Sequence, residues 1–323
     1  MTNALTITSR REKARTAAAT RRRARSARPP WEEPPTAVGQ AAKGITLGTT
    51  LAVILVPLWI ILLTSFSTPG AVNRAGGLVI WPDGLTAETY RQMLGDPTVR
   101  TALLVSLGIT VVGTVLSMAV SVLCAYGLSR PRSLGHRFLL LVLIVTMFVS
   151  GGLIPSFLVV TGLGGYGQWW ALILPSAVSV FNILVLRAFY QDTSAELIDA
   201  ARMDGAGEWR ILWSVVLPTS RAVTAVTALF YAVGYWNSFF NVMLYLPTDS
   251  QKWPLQYVLL TYVNRGNGLP GSVNSGFGST HAQTAPLALQ MAVVVLTLVP
   301  LVIVYPFVQK HLRAGVLTGA IKG

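Results

Sequence analysis

Few polar side chains stand in the long apolar stretches of this chain, and most of them are amides. Asn182, Asn237, Ser238, Asn241 and Gln290 lie in such stretches, and Tyr231, Tyr235, Trp236, Phe239 and Phe240 crowd the same region as the middle three. An amide both donates and accepts hydrogen bonds, and an aromatic face packs against C–H surfaces. That combination suits an uncharged polyhydroxylated solute such as a sugar. The same residues would also serve interhelical hydrogen bonds and an interfacial aromatic belt. Acid–base chemistry has no counterpart here. His136, His281 and His311 fall in different segments, and no Asp/His or Glu/His cluster appears, whereas general acid–base catalysis needs such groups within hydrogen-bond reach. A single cysteine, Cys124, rules out an internal disulfide framework and a cysteine metal cluster. No glycine-rich phosphate loop occurs, so we expect neither catalytic residues, nor a metal, nor a cofactor held by this chain.

The elements that carry these residues are membrane helices. The 323 residues are 52% hydrophobic and only 11% charged, against about 25% charged in an average soluble domain, and the mean hydropathy is +0.57. A hydrocarbon core about 30 Å thick needs about 20 apolar residues in a helix. Residues 45–66, 101–128, 138–160, 169–189, 222–246 and 286–308 each meet that length. The expected fold is therefore all-α and membrane-integral, a bundle of six transmembrane helices over residues 45–309. A β-barrel would show alternating segments of about ten residues instead.

Cytoplasmic loops are enriched in Lys and Arg. Of the 25 basic residues, 20 fall before the first span, between the second and third, around the loop between the fourth and fifth, and after the sixth. Both termini are accordingly expected in the cytoplasm. Residues 1–44 form a basic tail, with Arg21, Arg22 and Arg23 in a row, suited to anionic lipid headgroups rather than nucleic acid. Residues 310–323 form a short C-terminal tail.

Segment 190–221 is unusual for a cytoplasmic loop because it contains five acidic residues. Thr193 and Glu196 have capping-box spacing, predicting a helix from about Ser194. Leu197, Ala200 and Ala201 share one of its faces, and Gly205 supplies a left-handed C-terminal cap. A second helical stretch places Trp209, Leu212, Trp213 and Val216 on one side, and Pro218 is expected to end it. The first helix is a short peg whose alanines allow another backbone to approach; a helix resting on lipid is the competing reading.

Asp199-Ala200-Ala201, then Gly205 after three residues, then Val215-Val216-Leu217-Pro218 after nine more, resembles the EAA loop of ABC importer permeases. Asp199 replaces the usual Glu and Val215 the usual Ile, and Glu196 lies one turn earlier. Residues 150–155 (SGGLIP), 170–175 (WALILP) and 235–238 (YWNS) are similar to the carbohydrate-uptake branch, and the tail 315–323 (GVLTGAIKG) is similar to that of the maltose-type second permease subunit. Within that branch the resemblance is nearest to permeases for pectin-derived and other complex oligosaccharides.

The resemblance implies a permease of the binding-protein-dependent ABC type in a bacterial cytoplasmic membrane. It would pair with a homologous second permease as a heterodimer, and two ABC ATPase subunits would bind ATP and Mg. An extracytoplasmic solute-binding protein would deliver the sugar or oligosaccharide. Glu196, Asp199, Ala200, Ala201, Gly205, Val215, Leu217 and Pro218 would couple the chain to an ATPase subunit. Asn182, Tyr231, Tyr235, Trp236, Asn237, Ser238, Asn241 and Gln290 are candidates for the translocation path. The alternatives are an ABC permease for a non-sugar solute, a channel, and a membrane-embedded enzyme modifying glycans or lipids.

Overall fold

The computed structural model describes residues 36–130, 135–149, 151–192, 195–265 and 286–320. Among them every element of length is helical, and the extended backbone is limited to one isolated bridge between Ser67 and Leu85. The chain divides into two compact units, residues 1–57 and 58–323. In the first, helix α1 (Ala37–Ser65) begins at Ala37, ahead of the expected Ile45, and continues into the second unit; residues 1–35 of the basic tail lie outside the described residues.

The second unit contains short helices α2 (Pro69–Arg74) and α3 (Glu88–Gly95), then the long α4 (Pro97–Ser129). Asp96 starts α4 by accepting the Thr98 N–H at 2.6 Å, with Pro97 in the first turn, where its missing N–H costs nothing. Helices α5 (His136–Phe148) and α6 (Leu153–Gly162) follow, separated by a break at which Gly152 has φ +80°. Helix α7 (Trp170–Ile173) runs through a tight turn at Leu174–Ser176, and α8 (Val180–Gln191) leaves it at a 50° bend. Then come α9 (Ala195–Met203), α10 (Glu208–Thr219), α11 (Arg221–Trp236), α12 (Phe240–Tyr245), α13 (Leu255–Arg265) and α14 (Pro286–Ala320). Among the described residues, three helices are long and apolar enough to cross a membrane singly, and three bent pairs reach that length together.

Helix α4 is the central strut, packing against α8, α11 and α13. Its buried residues recur every three or four positions: Ala102, Ser106, Ile109, Gly113, Ser117, Ser121 and Ala125. Most are small, and small residues let membrane helices approach closely where no hydrophobic drive exists between them. At Gly113 the approach is extreme, since a Cβ there would sit 2.8 Å from the Tyr235 ring of α11. The opposite face shows Leu104, Val111, Val112 and Val115 outward, as a lipid-facing surface requires.

Some cross-links between helices are side chain to backbone. The Leu255 N–H donates to Ser106 Oγ at 2.7 Å, and Trp236 Nε1 donates to the Thr297 carbonyl at 3.0 Å. Two of the buried apolar clusters among the described residues bear on the site. One joins α4, α7, α11, α13 and α14; the other gathers Ala125, Leu128, Ile183, Leu186, Tyr190, Ile198, Ile211, Leu212, Val216 and Val223, at the far end of α4.

Candidate functional site

Two places concentrate the residues singled out above. The first is a cleft of about 380 Å³ between α8 and α11. The chain opens it by interrupting helices on both sides. The 50° bend leaves Ser176 and Ser179 on the cleft wall, and Ser179 caps α8 by accepting the Asn182 N–H at 3.4 Å. Across from them α11 stops after Trp236, because the Asn237 amide folds back to donate to the Val233 carbonyl at 2.9 Å. The turn that follows brings Asn237, Ser238, Phe239 and Phe240 to the wall, with Asn241 beside them.

Asn182, Tyr231, Tyr235, Asn237, Ser238 and Asn241 thus meet around one space. Trp236 and Gln290 do not. Trp236 is a buried residue tied to α14 through Thr297, and Gln290 sits on α14, outside the cleft lining. Sequence alone could not separate Trp236 from its neighbours, since one residue along a helix turns a side chain by about 100°.

Within the cleft the tyrosine hydroxyls are already committed to the fold. Tyr235 donates to the Ile173 carbonyl at 3.1 Å and bonds Ser117 at 2.8 Å; Tyr231 bonds Ser121 at 2.7 Å and accepts the Ser179 N–H at 3.1 Å. Their rings, with Phe230, Phe239 and Phe240, are what they offer the space. The side-chain amides of Asn182 and Asn241 bond to no described residue, and no charged side chain among the described residues lines the cleft. Ser176 and Ser179 are wall residues that the amide pattern in the sequence gave no reason to select.

The second place is the α9–α10 loop. The N-terminal capping residues Thr193 and Ser194 lie outside the described residues. At the other end Gly205 has φ +79°, the Ala206 N–H reaches the Ala201 carbonyl at 2.9 Å, and the Gly205 N–H reaches Arg202 at 2.9 Å. This is the paired Schellman closure that the glycine predicts. The faces, however, differ from the expected ones. Ile198 is buried and Ala201 packs beside it against the second apolar cluster, while Leu197 and Ala200 point outward. On α10, Trp209 and Trp213 are exposed, whereas Ile211, Leu212 and Val216 are buried. Trp209 and Trp213 are four residues apart and share a face; Leu212 and Val216 form a separate one.

Pro218 also does not end α10. The helix widens into a π-turn at Leu212–Val216 and continues to Thr219. The wide turn relieves the clash that a proline ring makes with the carbonyl four residues back. Val215 and Leu217 are half-buried against the second cluster, so these family-pattern positions belong to the bundle side. The outward surface of the loop is Glu196, Leu197 (51% exposed), Asp199, Ala200 and Met203 (88%), with Trp209 (66%) and Trp213 (67%). Large apolar residues this open, rimmed by carboxylates, mark an interaction surface.

Residues 117–318 match the model of the family described as binding-protein-dependent transport system inner membrane component. The chain belongs to that family. Both the cleft and the α9–α10 loop fall within the matched region. Among similar proteins, the polygalacturonan/rhamnogalacturonan transport system permease protein YtcP of Bacillus subtilis (strain 168) is 39% identical over 84% of this chain and 93% of its own length. The trehalose transport system permease protein SugB of Mycobacterium tuberculosis (strain CDC 1551 / Oshkosh) is 26% identical over 84% and 93%. A chain from the crystal structure of a bacterial ABC transporter importing the acidic polysaccharide alginate superposes with a TM-score of 0.79 at 30% identity, covering 87% of this chain and 99% of that one. This inner membrane component is therefore a membrane-embedded transport protein of the ABC permease fold.

Proposed function

We propose that the chain is the permease subunit of an ATP-driven, binding-protein-dependent importer of sugars or oligosaccharides. The observation that carries the substrate class is the cleft: aromatic faces and two uncommitted amides around a space without charge, in a family whose similar members are named for saccharides. An amide that faces the cleft without a protein partner is free to donate to and accept from a hydroxylated solute.

In this reading each bent helix pair is one span, giving six in all with both termini cytoplasmic. The α9–α10 loop is then cytoplasmic, and its open surface around Leu197, Ala200 and Met203 seats in a cleft of one of two ATPase subunits, which bind ATP and Mg. A homologous second permease completes the path, and a solute-binding protein delivers substrate from outside. Closure of the ATPase pair pushes on α9 and alternates access to the cleft between α8 and α11. ATP hydrolysis belongs to the partners.

The test is uptake of labelled oligogalacturonides and of neutral oligosaccharides by cells lacking the gene and by the same cells complemented with it. Complementation should restore uptake of at least one saccharide class, and Asn182→Ala should weaken it. Restored uptake of only a charged non-sugar solute would overturn the saccharide reading. A cysteine at Ser275 in a Cys124→Ser background should react with an impermeant thiol reagent on intact cells; position 275 lies outside the described residues.

A further inference from the structure

The buried cluster beneath the α9–α10 loop is apolar, and apolar packing resists separation without fixing direction. A second, polar attachment supplies direction. Arg202, in the last turn of α9, donates from Nη2 to Glu208 Oε1 at 2.9 Å and lies 3.7 Å from Asp199. Glu208 opens α10, and its other carboxylate oxygen accepts from the Tyr126 hydroxyl of α4. Arg130 in turn donates to that hydroxyl at 3.0 Å, with its guanidinium 4.7 Å above the Tyr126 ring. A single carboxylate therefore bridges the end of the peg, the start of α10 and the end of α4. Both charges suit their helix ends, a cation at the C-terminus of α9 and an anion at the N-terminus of α10.

Helix α4 continues unbroken from this junction to the cleft. Tyr126 stands five residues from Ser121 and nine from Ser117, about 7.5 and 13.5 Å along a helix. Those two serines hold Tyr231 and Tyr235, whose rings line the cleft. We propose that Glu208 and Tyr126 are positioning residues, a clasp that converts displacement of α9 into movement of α4 and so of the cleft tyrosines. The proposal rests on the reading of α9 as the segment seated against an ATPase subunit. The clasp contacts neither solute nor nucleotide. Its role is to keep a push on α9 from being absorbed by sliding over the apolar cluster.

The experiment uses the assembled transporter, with its second permease, ATPase subunits and binding protein, in proteoliposomes. A cysteine at Ser238 in a Cys124→Ser background reports access to the cleft through its rate of reaction with a maleimide. With the clasp intact, ATP plus vanadate should change that rate several-fold. Tyr126→Phe and, separately, Glu208→Gln should abolish most of the change while co-purification of the ATPase subunits and basal ATP hydrolysis persist. The double variant should be no worse than either single one, because the two residues act through one bond. A merely structural role would lower assembly and hydrolysis together and leave the response of the surviving complexes intact, which would overturn the proposal. So would a full vanadate response in Tyr126→Phe. Ala200→Trp is the control for the reading beneath it: if that variant keeps its ATPase partners and its vanadate response, the peg assignment itself fails, whatever the clasp variants do.

Discussion

The cleft and the α9–α10 loop use similar residue types in opposite ways. In the cleft, aromatic hydroxyls are buried and bonded inward, and the uncommitted groups are neutral amides facing a void. In the loop, charges are exposed and paired sideways, and large apolar residues face outward. A transient, uncharged ligand has to be bound by groups already desolvated but not too strongly. A protein surface has to be gripped by area, with charge at its rim. The same contrast explains why neither place resembles an active site. Among the described residues, one has no carboxylate, histidine or lysine in its wall, and the other presents an open surface of exposed side chains.

The contrast breaks most completely at the cleft wall. Gly113→Val should drive a side chain into the Tyr235 ring, and overpacking of this kind typically costs about 1–3 kcal/mol. It would also undo the hydroxyl bonds of Tyr235. We expect loss of uptake together with a lower thermal midpoint of the purified complex. At the loop, Ala200→Trp should abolish co-purification of the ATPase subunits without lowering thermal stability, since Ala200 is exposed. Ala201→Trp should do the reverse, destabilising this chain itself because Ala201 packs against the buried cluster. If both variants gave the same phenotype, the division of α9 into an inner and an outer face would fail.

Gly205→Val should cost somewhat less. No atom beyond its chain neighbours lies within 4 Å of where a Cβ would be, so the penalty is backbone strain at φ +79°, about 1–2 kcal/mol for a left-handed residue and more when β-branched. Thermal denaturation and uptake both read it, and Asp199→Glu should be nearly silent in the same assays. The smallest effect concerns acid. The Tyr126 hydroxyl, and after it Arg202, hold the Glu208 carboxyl below the usual carboxylate range. A group lowered in the folded state stabilises above its unfolded pKa, about 4.3, and loses that contribution as pH falls through the folded value. The stability advantage of wild type over Glu208→Gln should therefore be constant near neutrality and shrink below about pH 4. The side chain is half-exposed, so the advantage is small at any pH.

Much of this was legible in the sequence because membrane helices announce themselves by length and apolarity. The left-handed cap was legible for a similar reason, since only glycine takes that conformation without strain. Which side of a short helix faces in was not. On α9 the apolar pattern offers both Leu197 and Ile198, and only the neighbouring helices decide that Ile198 is the buried one. Pro218 misled because the rule for the residue before proline assumes regular α-geometry, and the π-turn at Leu212–Val216 departs from it. Trp236 was drawn toward the cleft by its neighbours in sequence, although its indole is engaged to α14. The clasp was invisible because Tyr126, Arg202 and Glu208 come from three separate elements, and no spacing rule links residues 126 and 208.

The paired hydroxyls of α4 and α11 also set a register. Ser117 and Ser121 are four residues apart, as are Tyr235 and Tyr231, and they pair in antiparallel order. Sliding one helix by a single turn, about 5.4 Å, would bring one serine opposite the wrong tyrosine and still form one bond. It could not form two: in one direction Tyr235 would face Gly113 with no hydroxyl to meet, and in the other Tyr231 would face Ala125. The two-toothed zipper thus discriminates among alignments that the smooth, small-residue stripe of α4 would otherwise accept, and it does so with groups that add almost nothing to the hydropathy of either helix.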